Sequence, residues 1–299
     1  MAQNAAVTKL KSQIVTPTEE KKLSPIEILI EQNKSKLEQL LPSNMSIQRL
    51  MRIIISVIKQ NPKLASCTQA SLLGAIFQSA LLGLEPNVEG QAYIIPYSNT
   101  RTIKGKRTKV TEAQFQIGYK GYIELFYRYS AALSIDMHTV YKNDVFEYSY
   151  GTEPILKHCP ILGDRGEAIA YYAVARLSNG GSVFKVMTKQ ECLAHAKEHS
   201  KTYITMEWSD EQNRYVKCEP HFTKDSPWVT DFNAMCKKTV LIQLAKVLPK
   251  SIELQRAIAM DNTTKTTIQS DMYSLPDETD WSSENVSNSV VLPPTEAGE

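Results

Sequence analysis

The stretch T-E-A-Q-F-Q-I-G-Y-K-G-Y-I-E-L-F-Y-R-Y-S, residues 111–130, changes its period halfway along, and that change sets how the rest of the chain is read. In the first half Ala113, Phe115 and Ile117 alternate with Gln114, Gln116 and Gly118, the period-2 pattern of a half-buried strand. In the second half Ile123, Phe126 and Tyr127 recur at helical spacing. The hinge between them is Gly118-Tyr119-Lys120-Gly121. Two glycines let the backbone turn tightly and come close to a neighbour. A helix that starts just after them points free N–H groups and a positive dipole end outward, where a phosphate can sit. Lys120 adds a full charge, while Tyr119 and Tyr122 add flat faces for stacking. Just upstream lies a basic run, Arg101, Lys104, Lys106, Arg107 and Lys109. Charge beside aromatics beside a helix start makes a candidate nucleic-acid surface. The competing reading is an ordinary strand–turn–helix whose basic run is solvated and whose tyrosines pack.

Working outward, residues 91–96 read as a strand that pairs with residues 113–118 in a β-hairpin. Residues 97–110 then form a long basic tip with Gly105 at its centre, and loops of that length are either functional or disordered. Three helices precede the hairpin: one from Pro25 to Pro42, one from Ser46 to Asn61, and one over 69–82 with Thr68 as cap and Gly83 as stop. After it the pattern predicts strands over 135–141, 145–150, 168–177 and 182–187, the last two joined by Ser178-Asn179-Gly180-Gly181. Thr188-x-x-Glu191 is a capping box that opens a helix to about His199. Residues 200–225 read as a polar loop, Ser226-Pro227 caps one long helix through Val247, and a short helix follows over 253–260. N-terminal helices, a β-hairpin followed by a central helix, a small antiparallel sheet and C-terminal helices make an α+β fold rather than alternating βαβ units. The expected organisation is a flexible arm over 1–23, a core over 24–261 and an acidic disordered tail over 262–299.

Charge is unevenly placed along the 299 residues. The tail carries Asp271, Asp277, Glu278, Asp280, Glu284, Glu296 and Glu299 against Lys265, a formal −6; with +2 for the whole chain, residues 1–261 hold +8. A basic body with an acidic tail suits a polyanion partner held in check, or a tail that recruits another protein; a merely solvated tail is the plainer alternative. Hydrophobic residues at 42% and charged residues at 22% describe a globular chain. No apolar run reaches the roughly 18 residues of a membrane span, and the polar N-terminus points to the cytoplasm.

Tests for catalysis find no foothold. G-x-x-x-x-G-K-[ST], G-x-S-x-G and H-E-x-x-H are absent, and Asp144, Asp164, Glu167 and Asp231 form no tight carboxylate constellation. The five cysteines include Cys192-x2-His195-x3-His199 and Cys218-x2-His221, whose spacing has metal-ligand character. Cys192, His195 and His199 fall in one amphipathic helical run, however, so the reading assigns no metal, no cofactor and no catalytic residue.

Three spaced motifs carry a resemblance. Q-F-Q-I-G-Y-K-G-Y-I-E-L (114–125), A-S-L-L-G-A-I-F-Q-S-A-L-L-G-L-E-P (70–86) and W-V-T-D-F-N-A-M-C-K-K-T-V-L-I-Q-L-A-K-V-L-P (228–249) together resemble the RecT family of phage and prophage single-strand annealing proteins, in order and over about residues 30 to 260. One departure is Ile242-Gln243, where the family pattern leads one to expect a basic residue or two. The resemblance implies an ATP-independent recombinase of a bacterial cytoplasm. It would coat single-stranded DNA, pair complementary strands and assemble as a ring or helical filament on the annealed duplex intermediate. Its implied partners are a phage exonuclease and the host single-strand-binding protein. A passive single-strand-binding or scaffold protein remains the alternative.

For such a role the expected DNA-binding residues are Arg101, Lys104, Lys106, Arg107 and Lys109 on the hairpin, Gln114 and Gln116 on the strand, and Tyr119, Lys120 and Tyr122 at the hinge. Arg128 beyond the hinge would line the same groove, with Lys237 and Lys238 on the opposite wall.

Overall fold

The period-2 half of the opening stretch forms one side of a two-stranded ribbon in the computed structural model. The structure describes residues 25–272 apart from Asn44, Lys104, Asp210, Asn213, Lys250, Asn262, Ser270 and Asp271. Strand β1 (Ala92–Ile103) pairs antiparallel with β2 (Lys106–Ile117), from Ala92 opposite Ile117 to Ile103 opposite Lys106. The long basic tip expected from the sequence is therefore mostly strand. Its threonines, valine and isoleucine favour extended backbone, and charge does not oppose pairing where both faces meet solvent. The ladder closes so tightly that only positions 104 and 105 are left for the turn, and Gly105 takes it at φ +77°. Lys104 lies outside the described residues.

Among the described residues four α-helices precede the ribbon. The first expected helix is two, α1 (Pro25–Gln32) and α2 (Lys34–Leu40), parted at Asn33, whose amide donates to the Leu29 carbonyl. Helix α3 (Ile47–Gln60) buries Ile47, Leu50, Ile54 and Val57 along one side. Helix α4 (Gln69–Leu82) is buried almost all round, the mark of a core helix, and stops at Gly83 with φ +58°. Its N-cap end docks on the ribbon: the Thr68 N–H donates to the Thr111 carbonyl, and the Ser71 hydroxyl accepts from the Ala113 N–H at 2.9 Å. Phe115 and Ile117 are fully buried beneath it, and truncating either to alanine costs about 2–5 kcal/mol.

Beyond the hinge come α5 (Tyr119–Tyr127), β3 (Ala132–Tyr141), β4 (Val145–Ser149), β5 (Ile155–Cys159), β6 (Ala168–Leu177) and β7 (Ser182–Thr188). Strands β3, β6 and β7 form an antiparallel sheet in that order, and β4 pairs with β5, a strand the sequence reading did not find. Alternation along β6 splits the sheet's faces. Tyr171, Ala173, Ala175 and Leu177 join the main core, whereas Ala170 and Tyr172 join Phe184 and Val186 in a smaller cluster closed by Phe146 and Leu156 of the β4–β5 hairpin.

Thr188 and Glu191 form the expected capping box of α6 (Lys189–His199). The predicted polar loop over 200–225 is instead a hairpin, β8 (Tyr203–Ser209) with β9 (Arg214–Phe222), in which strand-favouring Tyr, Ile, Trp and Val outweigh the surrounding charge. The long helix expected from Ser226 is α7 (Pro227–Thr230) and α8 (Phe232–Val247), separated by Asp231, whose side chain caps the second at the Ala234 N–H. Helix α9 (Ile252–Met260) follows. The packed body runs past the expected boundary at Asp261. Thr263, Thr264, Lys265 and Met272 are buried, and the Gln78 amide on α4 donates to the Thr263 hydroxyl. The fold is α+β, with helices at both ends of small antiparallel sheets. Among the described residues no helix is long and apolar enough to cross a membrane. The expected arm over 1–23 and the tail beyond 272 lie outside the described residues.

Candidate nucleic-acid interface

Strand β2 hands over to α5 at Gly118, with φ −78° and ψ 165°, a conformation open to any residue. Glycine is required there for room. A Cβ on Gly118 would stand 1.9 Å from the Gly90 carbonyl oxygen, and one on Gly121 would stand 2.2 Å from that of Gln91. The close approach anticipated at these glycines is thus made by the chain's own 84–91 loop. That loop turns through positive φ at Asn87, Glu89 and Gly90, and its Gln91 carbonyl accepts the Gly118 N–H at 2.9 Å.

Asp261, just past α9, locks the other side of the hinge. One carboxylate oxygen accepts the Ile117 N–H and the other the Tyr122 hydroxyl, each at 2.9 Å. Tyr122 is 2% exposed, and burial together with the Asp261 charge holds its hydroxyl protonated well above the usual range. The stacking role expected of Tyr122 is therefore corrected: it is a core residue. No sequence spacing pointed to Asp261, which lies 139 positions away from Tyr122.

Tyr119 and Lys120 are exposed at the start of α5, where no side chain caps the helix. Tyr93 of β1 flanks them; it lies opposite Gln116, and its ring edge would stand 3.2 Å from a Cβ on Gly118. Next along the same outer face, the Gln116 amide donates to the Tyr97 hydroxyl at 3.0 Å, and the Lys201 ammonium stands 4.9 Å from the centre of the Tyr97 ring. Tyr93, Tyr97 and Lys201 were missed in the sequence. The two tyrosines were legible as the outward half of β1's alternation, but Lys201, in the turn between α6 and β8, meets the ribbon only in the folded chain. Gln114 shares that face by register yet is 3% exposed, which removes it from the surface.

The basic residues divide. Arg101 donates from Nε and Nη2 to Glu112 at 3.0 and 2.9 Å, Asn99 donates to the same carboxylate, and Glu112 is itself buried. Its charge is answered inside the ribbon, which corrects its assignment as a free cation. Arg128 donates from Nη1 to the Leu82 carbonyl at 2.6 Å and from Nη2 to that of Gly83 at 3.2 Å, so it caps the C-terminal end of α4 rather than lining a groove. Lys106, Arg107 and Lys109 are exposed near the ribbon's tip. Register puts Lys106 on the outer face and Arg107 and Lys109 on the opposite one, about 30–40 Å from the hinge at strand rise. Lys237 and Lys238 are half-buried on α8, which packs against α5. The structure therefore gathers Tyr119, Lys120, Gln116, Tyr93, Tyr97 and Lys201 at the hinge end, and sets a separate cationic end at the tip.

The sequence profile of the RecT family matches residues 48–274. The chain is 34% identical to Protein RecT of Escherichia coli (strain K12) over 236 residues, covering 79% of this chain and 78% of that protein. It is also 27% identical to the uncharacterized protein YqaK of Bacillus subtilis (strain 168) over 218 residues, covering 71% of this chain and 63% of that one. With a profile match that spans the ribbon, the hinge and α8 alike, the chain belongs to the RecT family.

Proposed function

We propose that this chain is an ATP-independent single-strand annealing protein of DNA recombination. In this reading it coats single-stranded DNA, pairs it with its complement and self-associates as a ring or helical filament on the annealed intermediate. The observation that carries the reading is the hinge surface: exposed Tyr119 and Lys120 at the uncapped start of α5, beside Tyr93 and Gln116. Annealing makes and breaks no covalent bond. It requires phosphates to be neutralised while bases stay free to pair. Lys120 and the first-turn N–H groups of α5 hold a phosphate. Tyr119 and Tyr93 offer faces to bases without choosing among them. Lys106, Arg107 and Lys109 extend the backbone track along the ribbon, and Lys237 and Lys238 supply charge from α8. Lys104 belongs to the same proposal by its place in the sequence alone. A cytoplasmic setting in a bacterial host, a phage exonuclease that supplies single strands and the host single-strand-binding protein complete the proposal; they rest on the family.

The test is annealing of two complementary fluorescent oligonucleotides without nucleotide, over a salt series. Acceleration that falls as salt rises, and that Lys120→Ala weakens, is the expected result. Binding without acceleration would replace this reading with that of a passive coating protein.

A further inference from the structure

The β8–β9 hairpin carries a second chemical feature, remote in kind from DNA binding. Glu207 on β8 and Cys218 and His221 on β9 bring a carboxylate oxygen, a thiol sulfur and an imidazole nitrogen within 4.8 Å of one another. The strands meet there at a register irregularity between Ile204 and Met206, which lets β9 present both Cys218 and His221 toward Glu207. The histidine is already oriented. Its Nδ1 lies 2.7 Å from the Glu219 carbonyl, and a carbonyl only accepts, so Nδ1 carries the hydrogen. In the neutral ring Nε2 then presents a lone pair, and it faces Glu207 Oε1 at 3.1 Å. Two lone pairs at that distance need a cation between them, a proton or a metal. Backbone anchoring of the far ring nitrogen is the second-shell arrangement usual for metal-ligating histidines.

We propose that Glu207, Cys218 and His221 bind a divalent cation of the zinc class. Mixed nitrogen, sulfur and oxygen donors suit borderline Zn²⁺ rather than Mg²⁺ or Ca²⁺, which take oxygen alone. Ligands of a tetrahedral zinc at its usual bond lengths lie about 3.4 Å apart, so the observed spacing requires only small adjustments. On binding, the Cys218 thiol gives its proton to solvent, a metal–sulfur bond forms, and a water molecule takes the fourth position. The ion clamps the hairpin across its irregularity. This departs from the sequence reading, which set aside Cys218 and His221 together with Cys192, His195 and His199. In the structure Cys192 is a buried free thiol that hydrogen-bonds with Cys236, and His195 meets Gln243 at 3.2 Å.

The experiment titrates the metal-stripped full-length protein with Co²⁺, reads thiolate-to-cobalt charge transfer in the near ultraviolet, and then displaces Co²⁺ with Zn²⁺. One equivalent per chain is expected. The band is lost in Cys218→Ser, binding weakens at least about tenfold in His221→Ala, and Cys159→Ser, at an exposed cysteine outside the cluster, changes nothing. Circular dichroism of each variant confirms that it folds. Absence of saturable binding overturns the site, as does a band that survives Cys218→Ser or disappears with Cys159→Ser.

Discussion

The two ends of the β1–β2 ribbon share the same strands and differ in almost every other respect. At the hinge end the polar groups are answered within the chain: Gly118 by Gln91, and Ile117 and Tyr122 by Asp261. At the tip Lys106 and Arg107 stand exposed with no ion pair among the described residues, and a Cβ on Gly105 would meet nothing within 4 Å. Shape is fixed at one end and charge is left available at the other. Substitutions in the buried hinge should therefore register as stability, and those at the tip, like Lys120 on the hinge surface, as salt-dependent binding.

The sharpest way to break this contrast is to place the same methyl group at both ends. Gly118→Ala drives a Cβ to 1.9 Å from a backbone oxygen that cannot swing aside, and the expected loss is at least about 3 kcal/mol in denaturant unfolding. Gly105→Ala meets no neighbour and only strains a left-handed residue, a cost of about 1 kcal/mol. Equal losses would mean that the 84–91 loop does not press on the hinge.

Asp261→Ala comes next, at about 2–3 kcal/mol, since it strands both the Ile117 N–H and the Tyr122 hydroxyl. Tyr122→Phe removes only one of those bonds and should cost about 1–2 kcal/mol. The double variant should fall short of the sum, because both substitutions delete the same Tyr122–Asp261 hydrogen bond. Strict additivity in urea unfolding would show that the lock is not a unit.

What was legible in the sequence follows the same division. Residues 69–82 and 189–199 were readable as helices because their caps, Thr68 with Gly83 and Thr188 with Glu191, are local. The family was readable because its motifs keep their order along the chain. Residues 97–110 and 200–225 were misread as loops because polar composition masked period-2 pairing, and strand pairing is decided by the partner strand. Among the candidate site residues, Lys120 and Tyr119 lie on the surface. Arg101, Arg128, Gln114 and Tyr122 were claimed from inside by Glu112, by the end of α4 and by Asp261, or buried outright. Charge is visible in a sequence, but the partner that neutralises it is not.

Asp144 extends the contrast to a different part of the fold. Its buried carboxylate takes Arg165 Nη2 at 2.6 Å, the Tyr141 N–H at 2.9 Å and His158 Nε2 at 3.0 Å, tying β4 and β5 to the central sheet. Arg165 above all, against the opposing effect of burial, holds its pKa well below the usual carboxylate range. A depressed folded-state pKa stabilises above the unfolded value, about 3.9, and the contribution fades as pH falls below it. Asp144→Asn should accordingly lower the melting temperature at pH 7, and the gap to the parent should narrow below pH 4. A gap that stays constant through acid would place the effect in packing instead of charge.

The smallest effect on stability should come from the tip, and there the comparison becomes a statement about function. Lys106 and Arg107 occupy opposite faces of a ribbon that both strands hold by backbone pairing, so replacing both with alanine removes no structural bond. The melting temperature should stay within about 1 °C, as for surface changes remote from caps and core. If each residue neutralises one phosphate, the slope of log affinity for single-stranded DNA against log salt should flatten by about 1.4. Their positions on opposite faces add a finer test: single variants should share the change equally if DNA wraps the ribbon, and unequally if it runs along one face. An unchanged slope in the double variant would move the binding surface wholly to the hinge, where Lys120 stands beside the tyrosines, and would leave the ribbon's outer half as a support for assembly.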